Sequence, residues 1–477
     1  MNAAGFRTVA VGKNHFCSGE ADCERLHGFD EHHLYDGLET EWDEYRQWFN
    51  TTSGGQWWNA TAPGWDPGRP LTNNDWRGAA YAYPEAWHNT AWTGRVAAKV
   101  VANHSGNPLF LKTSFHSPHS PYDPPARLLA TFDDAKAPSR LVADDGWDVA
   151  ATPCDVSAVN YTLGDPRDTP TDLWCADMRA DLVAASRSAY LASVQFVDEQ
   201  VGAVLDALDA RGWGDDAFVI YSADHGDALG DHYLWRKTYA YESSARIPCI
   251  VRPGAVVWTG RGAPPASIAG AVTEIRDVLP TILDAVGATG LVPADQPLDG
   301  ASLLPLLRGD KTGWRDVLDL EHSKCYNASN HWSGLVTVDR KYPRPRRKLP
   351  VFWRGPVSGD RRLRGNRGRG AATTRHLAAA PPRPATARDS RGRTRKPRRY
   401  VFHALTGREQ LFDLDEDPDE LRDVAAARPN ETAAFRARLV AQYEREGRGD
   451  AWVKDGVLVW PRDDMVYSPN YPNASRA

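Results

Sequence analysis

A long amphipathic segment followed closely by a short apolar one lies at the centre of this sequence. Between residues 182 and 210, apolar side chains recur at spacings of three and four, among them Leu191, Val194, Val201, Val204, Leu205 and Leu208. This period predicts a long helix, which ends before Gly212. The run AFVIYS at 217–222 is short, apolar and bounded by polar residues, which is typical of a strand buried in a sheet. A helix that leads into a buried strand favours an α/β fold.

The same alternation extends to both sides of this pair. Short strands are predicted at Arg7–Val11, at 108–115 (PLFLKTSF) and at 247–253 (IPCIVRP), and a short helix at 277–287. We therefore expect a parallel sheet with helices on both faces. The 477 residues are enough for one large domain of this kind and a smaller second one.

A basic segment interrupts this pattern near the C-terminal end. Residues 341–400 contain twenty Lys and Arg but only two acidic residues, and they are rich in Pro, Gly and Ala. Without an apolar period the segment is expected to be disordered. It could be a basic arm for nucleic acid or acidic glycans, or a translated non-coding insertion. Joining Tyr342 to Val401 gives a continuous alternating strand, VTVDRKYVFHA. This continuity favours the second alternative, in which residues 343–399 are an insertion that arose as a gene-model artefact.

Charge and targeting signals bear on partners and compartment. The net charge of −5 gives no electrostatic argument for nucleic acid as a partner. No apolar run approaches the roughly 20 residues that span a bilayer, and no signal peptide is visible. Asn-X-Ser/Thr sequons exceed the roughly two expected by chance; they occur at Asn50, Asn59, Asn103, Asn160, Asn327, Asn430 and Asn473. We therefore expect a secreted or lysosomal glycoprotein.

The cysteines do not indicate a metal site. None of the six has the spacing of zinc ligands. Cys17 with Cys23, or Cys154 with Cys175, could form local disulfides. Free buried thiols are an equally good interpretation from the sequence alone.

The strand at 217–222 leads into Asp224 and His225. Open α/β sheets bind ligands outside the carboxyl ends of their strands. A carboxylate and an imidazole side by side there can both reach one divalent cation. A helix-capping Asp beside a hydrogen-bonded His is the alternative for the dipeptide alone. Further polar residues in the same segment favour the metal site; they are Asp227, Asp231 and His232.

Two other strand ends carry cationic or titratable side chains. Prolines on both sides hold His119 in a stiff loop after the strand at 108–115, with His116 three residues earlier. Lys13 and His15 follow the first strand, and residues two apart on an extended chain point the same way. Lys237 lies in the loop after Asp224-His225 and could be a point charge for an anion. Converging cations and one metal suit a tetrahedral oxyanion such as a sulfate or phosphate ester.

These segments resemble the type I, formylglycine-dependent sulfatase family of the alkaline-phosphatase-like superfamily. The resemblance is carried, in order, by AGFRTVAVGKNHF, SPHSPYDPP, VDEQVGAVLDAL, ADHGDALGDHYLWRKTYAYESSARIPCIV, EIRDVLPTILDAVG, LDGASLLPLLRG and REQLFDLDEDPDE. It implies an α/β sandwich with a large mixed, mostly parallel sheet flanked by helices at 1–270. It also implies a small C-terminal α+β subdomain with its connection at 271–342 and 401–470, interrupted by 343–399.

The resemblance also implies roles for individual residues. Asp224 and His225 would bind the divalent cation, commonly calcium. Lys13 and Lys237 would hold sulfate oxygens and stabilise the nucleophile.

Two histidines have implied catalytic roles. His15 would act on the hydrated formylglycine and release sulfate from the covalent intermediate. His119 would contact sulfate and help the leaving alcohol depart. The helix around Asp198 and the LFDLDEDPDE segment would be scaffold.

The sequence departs from the family pattern at its beginning. The family places its nucleophile in Cys/Ser-X-Pro-X-Arg and a paired Asp-Asp for the same metal upstream of the strand that ends in Lys13. Neither motif occurs here. We therefore expect this chain to lack the formylglycine residue and two metal carboxylates, and to be catalytically dead or feeble as it stands.

Three functions remain open from the sequence. The first is a sulfatase that acts on a small sulfate ester or a sulfated glycan. The second is a phosphodiester or phosphonate monoester hydrolase of the same superfamily. The third is a non-catalytic pseudoenzyme that binds sulfated ligands. The Trp- and Tyr-rich segments 35–105 and 120–180 are expected to set specificity by stacking on aryl groups or sugars. The sequence gives no indication of the oligomeric state.

Overall fold

The computed structural model describes most of the chain up to residue 461. The described residues exclude 17–19, 38–42, 57–70, 72–73, 133–140, 143–145, 155, 164–168, 256, 258–270, 323–329 and 338–396. The predicted insertion at 343–399 lies almost entirely outside the described residues, as do the sequons at Asn59, Asn327 and Asn473.

Helices and strands alternate through the first two thirds of the chain. The helices are α1 (Glu20–Glu24), α2 (Glu44–Ser53), α3 (Asn89–Asn103), α4 (Ala126–Leu129), α5 (Ala180–Ala210), α6 (Glu242–Ala245), α7 (Val278–Ala285), α8 (Leu304–Leu307) and α9 (Pro429–Arg445). The strands are β1 (Arg7–Gly12), β2 (Glu31–Leu34), β3 (Leu109–Ser114), β4 (Asn160–Tyr161), β5 (Asp177–Met178), β6 (Val219–Ser222), β7 (Cys249–Arg252), β8 (Val317–His322), β9 (Trp332–Thr337), β10 (Arg398–His403), β11 (Glu409–Asp413), β12 (Val453–Lys454) and β13 (Val457–Leu458). The strands and helices predicted from sequence periodicity are confirmed.

Strand β1 is the centre of a three-stranded parallel sheet in the order β2-β1-β3. Val9 and Val11 of β1 are buried against Ala97 of α3. Gly12 ends the strand at φ +90°, and a Cβ on it would lie 2.0 Å from the Ser114 carbonyl oxygen. Glycine is therefore needed for β1 and β3 to end side by side, which brings the two loops that follow them together.

Helix α5 packs along α3 through small side chains. Ala189 and Ala192 of α5 are fully buried, and Phe196 fills the space beyond them. On the facing helix a Cβ at Gly94 would lie 2.6 Å from Gln200 Oε1. Small residues at the crossing let the two helix axes approach closely, and the pair covers the sheet next to β1.

Strands β6 and β7 pair with each other in a separate antiparallel ladder. The connection between them contains only the four-residue helix α6. A parallel pair needs a crossover connection, usually a helix, whereas here the chain turns back beside β6. The described residues thus combine parallel and antiparallel strands with flanking helices, as predicted for a mixed α/β fold.

A second layer structure forms the C-terminal part of the chain. Four antiparallel strands, in the order β11-β10-β9-β8, pack against α9. Leu335, Tyr400 and Leu411 of the sheet are buried against Leu439 and Tyr443 of the helix. This is the α+β unit that was predicted.

One predicted boundary needs correction. Strand β10 begins at Arg398 and pairs with β9 and β11. Arg398 and Arg399 are buried, so the last two residues of the predicted insertion at 343–399 belong to the sheet. Sequence composition misled the prediction here, because two buried arginines follow directly on an arginine-rich segment.

Cysteine pairing is partly settled by the structure. Cys154 and Cys175 form a disulfide, which removes the alternative of free thiols at these two positions. Cys23 is also disulfide-bonded, while Cys17 lies outside the described residues. Cys249 has an exposed free thiol.

None of the helices in the described ranges is both long enough and apolar enough to cross a bilayer.

Candidate active site

The loops after β1, β3 and β6 meet at one edge of the fold. Lys237 Nζ lies 3.1 Å from His119 Nε2. The His119 ring lies 4.8 Å from the His116 ring and 6.4 Å from the His225 ring, between centroids. Burial lowers the pKa of Lys13, and the nearby charge of Lys237 lowers it further. The structure therefore brings together side chains that the sequence placed at three separate strand ends.

Lys13 is held in position by backbone contacts. Its N–H donates to the Ser114 carbonyl at 2.8 Å, and its side chain passes close to Gly37. Burial lowers its pKa to about 8, while Asp224 and Asp36 act in the opposite direction. A lysine near neutral pKa beside a second lysine is a site that gains stability when an anion binds.

His119 is neutral and its tautomer is fixed. Its Nδ1 lies 2.8 Å from the Ser120 carbonyl oxygen, which can only accept, so Nδ1 carries the proton. Nε2 is then a lone-pair acceptor for the Lys237 ammonium. Burial, Lys13 and Lys237 hold the pKa of His119 well below its usual range. Cis peptide bonds precede both Pro118 and Pro121 in this loop.

His116 lies behind His119 and is buried. Its ring contacts Tyr35 edge to face, with centroids 5.4 Å apart. A Cβ on Gly37 would lie 2.6 Å from its Cδ2. Burial holds the pKa of His116 well below its usual range, so it is a neutral wall of the site.

Asp224 and His225 lie side by side at the start of the loop that follows β6. His225 Nδ1 lies 2.8 Å from the Gly226 carbonyl, which assigns the proton to Nδ1. Its Nε2 lone pair then faces Asp224 Oδ2 at 3.5 Å. Two electron-pair donors that face each other fit a cation between them. Within the described ranges no three His, Cys, Asp or Glu side chains are grouped for a metal, so this pair would supply two ligands.

His15 follows β1 and Asp36 follows β2. His15 lies at the solvent-exposed side of the site; partial burial of its ring and the charge of Lys13 lower its pKa. Asp36 is fully buried. It accepts hydrogen bonds from the N–H groups of Asn14 and Phe16, both at 3.1 Å. Sequence reasoning missed Asp36, because the polar strand EHHL before it does not read as a buried strand.

Asp227, in the same loop as His225, is held by hydrogen bonds within the protein. Its carboxylate is buried and accepts from the Tyr122 hydroxyl at 2.9 Å and from the N–H groups of Leu229 and Arg236 at 3.0 Å. Its acceptor capacity is used within the protein. Asp227 therefore organises the loop that carries His225.

Asp231 and His232 are also committed to the scaffold. Asp231 Oδ1 lies 2.6 Å from Arg187 Nη2 and accepts from the Leu141 N–H at 2.8 Å. The His232 ring is buried against Trp147, with centroids 4.2 Å apart. The sequence pattern counts both in favour of the metal site, but these contacts make them structural residues.

A model of the sulfatase family matches residues 1–288. The chain belongs to the sulfatase family. This agrees with the resemblance read from the strand-end motifs, since the matched range contains the loops of Lys13, His119 and Lys237.

Curated sulfatases share moderate identity with the chain. An arylsulfatase of Clostridium perfringens is 28% identical over 360 residues, which cover 72% of this chain and 67% of that protein. A choline-sulfatase of Rhizobium meliloti is 27% identical over 333 residues, which cover 65% of this chain and 55% of that protein. The chain thus spans about half to two thirds of the length of these relatives.

Solved structures show the same fold as this sulfatase-family chain. The phosphonate monoester hydrolase of Agrobacterium radiobacter superposes with a TM-score of 0.60 at 20% identity, over 93% of this chain and 79% of that one. A protein solved with its substrate D-glucosamine-2-N,6-O-disulfate superposes with a TM-score of 0.57 at 17% identity, over 94% and 81%. The fold is therefore the alkaline-phosphatase-like α/β fold.

Proposed function

We propose that this chain forms the sulfate-binding and leaving-group side of a sulfatase active site. The observation that carries the proposal is the contact of Lys237 Nζ with the Nε2 of neutral His119, 3.1 Å away. Family membership supports a sulfate ester as the substrate. Two half-buried lysines, Lys13 and Lys237, provide charge for the ester oxygens, and preorganised cations are the usual means of stabilising charge that develops in a transition state.

Each residue would have a distinct part in the reaction. Lys13 and Lys237 bind two oxygens of the sulfate group. The Lys237 ammonium donates a hydrogen bond to Nε2 of neutral His119, and it would give a proton to the alkoxide that leaves and so become a neutral amine. His15, at the exposed side, is placed to act on the hydrated nucleophile.

The family generally uses a divalent metal and a formylglycine nucleophile. In this chain Asp224 and His225 would hold the metal, with calcium as the proposed ion. When bound, the metal supplies Lewis-acid polarisation of a sulfate oxygen. The facing lone pairs of the two residues support this assignment.

Substrate binding and turnover are tested separately. We expect inorganic sulfate to bind the chain in isothermal titration calorimetry, and Lys237→Met to abolish the binding, whereas the exposed Lys99→Met leaves it unchanged. For turnover, 4-nitrophenyl sulfate and 4-nitrophenyl phenylphosphonate are compared. Preference for the phosphonate would favour the second hydrolase function. Equal binding of inorganic sulfate by the unaltered chain, Lys237→Met and Lys99→Met would overturn the proposal.

The substrate class and the cellular compartment of the protein are also proposals. We infer a sulfated small molecule or glycan, and passage through a glycosylating secretory route. The sequon asparagines that the structure describes are all exposed; they are Asn50, Asn103, Asn160 and Asn430. Expression in a eukaryotic secretory host followed by N-glycosidase treatment tests this, and an unchanged electrophoretic mobility would contradict it.

A further inference from the structure

The backbone on both sides of Lys237 has a left-handed conformation. Arg236 has φ +64° and Thr238 has φ +81°. For a β-branched residue such as threonine this is a genuine outlier. Such conformations persist only where the surroundings over-determine them, and they cluster at functional sites.

The C-terminal sheet supplies one set of the contacts that hold this backbone. The indole Nε1 of Trp332, at the start of β9, donates to the Thr238 carbonyl at 2.8 Å. The side-chain amide of Asn330 donates to Thr238 Oγ1, whose hydroxyl in turn donates to the Lys237 carbonyl. Trp332 and Asn330 are both buried. The peptide unit that follows Lys237 is therefore held by residues about 90 positions away in the sequence.

Arg399 of β10 supplies the second set. Its guanidinium donates to the Ala240 carbonyl and pairs with the Glu242 carboxylate. Its Nε lies 2.6 Å from Glu420 Oε1, and Glu420 Oε2 accepts from the Glu242 N–H at 2.6 Å. Burial raises the pKa of Glu420, and the Arg399 cation opposes this rise. Arg399 is thus the counter-charge that allows two acidic residues to hold the loop from Lys237 to α6.

We propose that Trp332 and Arg399 are positioning residues of the C-terminal sheet, which hold the Lys237 ammonium against His119 and so set the affinity of the site for a sulfate group. This inference rests on the proposed function, because it assigns the anion to that site. It gives the C-terminal sheet a part in binding, in addition to the role of scaffold. The two residues act through the backbone at 238–242 and do not touch the anion themselves.

Two pairs of variants separate positioning from stability. Arg398 and Arg399 are adjacent in one strand and both buried, but Arg398 pairs with Asp413 and Glu431, away from Lys237. Trp314 resembles Trp332, since its indole donates at 2.9 Å to a backbone carbonyl, that of Val272. We expect R399K and W332F to weaken inorganic sulfate binding about tenfold, and R398K and W314F to lower the melting temperature without changing the sulfate affinity.

Amide hydrogen exchange of residues 237–242 in the ligand-free protein gives an independent readout. Exchange should become faster in R399K and W332F than in their matched controls. Faster exchange with unchanged sulfate affinity would overturn the positioning role, as would unchanged exchange or equal affinity losses in test and control variants. If R399K fails to fold, W332F decides. If the unaltered chain binds no sulfate, the proposed function fails, while the exchange data still show whether the sheet holds this loop.

Discussion

The Tyr122 hydroxyl donates a 2.9 Å hydrogen bond to Asp227 Oδ2. Tyr122 lies three residues after His119, and Asp227 lies two residues after His225. Asp227 also accepts from the Arg236 N–H, directly before Lys237. One buried carboxylate therefore connects the loops that carry three of the candidate site residues.

Removing the Tyr122 hydroxyl should loosen this connection. In Tyr122→Phe the buried Asp227 carboxylate loses one of its donors, which should lower the free energy of unfolding by about 1–3 kcal/mol. Sulfate affinity should fall as well, because His119 and Lys237 are no longer fixed relative to each other. Urea denaturation and calorimetry measure the two effects. Tyr190→Phe, which changes the neighbouring ring 5.7 Å away, is the control, and equal affinity losses in both variants would contradict this prediction.

Anion binding should depend on pH through Lys13. Its pKa in the free protein is lowered to about 8, so the ammonium is charged below this pH and loses its charge above it. Affinity for inorganic sulfate should be highest below pH 8 and fall by up to tenfold per pH unit above it. Calorimetry between pH 6.5 and 9.5 measures the profile, with the range chosen around that pKa. Lys13→Arg, which stays charged, should move the decline to higher pH, and a flat profile in the unaltered chain would count against the assignment.

The pair Asp224 and His225 should bind a divalent cation weakly. Two ligands are a minority of the six to eight oxygens that calcium prefers, so a dissociation constant on the order of 1 mM is expected. Added CaCl2 should raise the melting temperature of the unaltered chain and of the exposed-acid control Asp216→Asn. Asp224→Asn should abolish this increase. A calcium response that survives in Asp224→Asn would place the ion elsewhere.

The disulfide between Cys154 and Cys175 should contribute to stability. It closes a loop of 21 residues, for which chain-entropy arguments give about 3 kcal/mol. In the Cys154→Ala/Cys175→Ala double variant the free energy of unfolding, measured by urea denaturation, should be lower by this amount. In Cys249→Ser, at the exposed free thiol, it should be unchanged. Substituting both cysteines, instead of adding a reductant, leaves the disulfide at Cys23 intact.

Sequence periodicity was sufficient for the elements that build the α/β part. The strands that end at Gly12, Ser114 and Ser222 and the helix α5 follow from short apolar runs and from three- and four-residue spacing. The carboxyl ends of β1 and β3 meet because the two strands are paired in parallel, and the loop after β6, which belongs to a separate ladder, reaches the same edge of the fold. For that reason the meeting of the Lys237 and His119 side chains could be anticipated.

The missed features depend on tertiary contacts. The direction of β7 is set by the return of the chain beside β6, which periodicity does not encode. Asp36, Asp227 and Asp231 are all acidic residues near a strand end or loop, and only their hydrogen-bond partners separate the roles. Arg399 was hidden because its strand follows an arginine-rich segment. The catalytic and metal-binding roles of the site residues stay predictions.

Strands β9 and β10 are paired in register, with Thr337 opposite Arg398. The Arg398 N–H even donates to Thr337 Oγ1 at 3.1 Å, so the two chain ends meet as they would in a tight hairpin. We therefore expect the register of the sheet to be independent of the 60 residues between them. Replacing them by a four-residue turn should stabilise the protein by about 2 kcal/mol through a smaller loop-closure entropy, and should leave sulfate binding intact. If this shortened variant unfolds at a higher urea concentration than the full chain, the β9–β10 hairpin accommodates a long insertion between its strands.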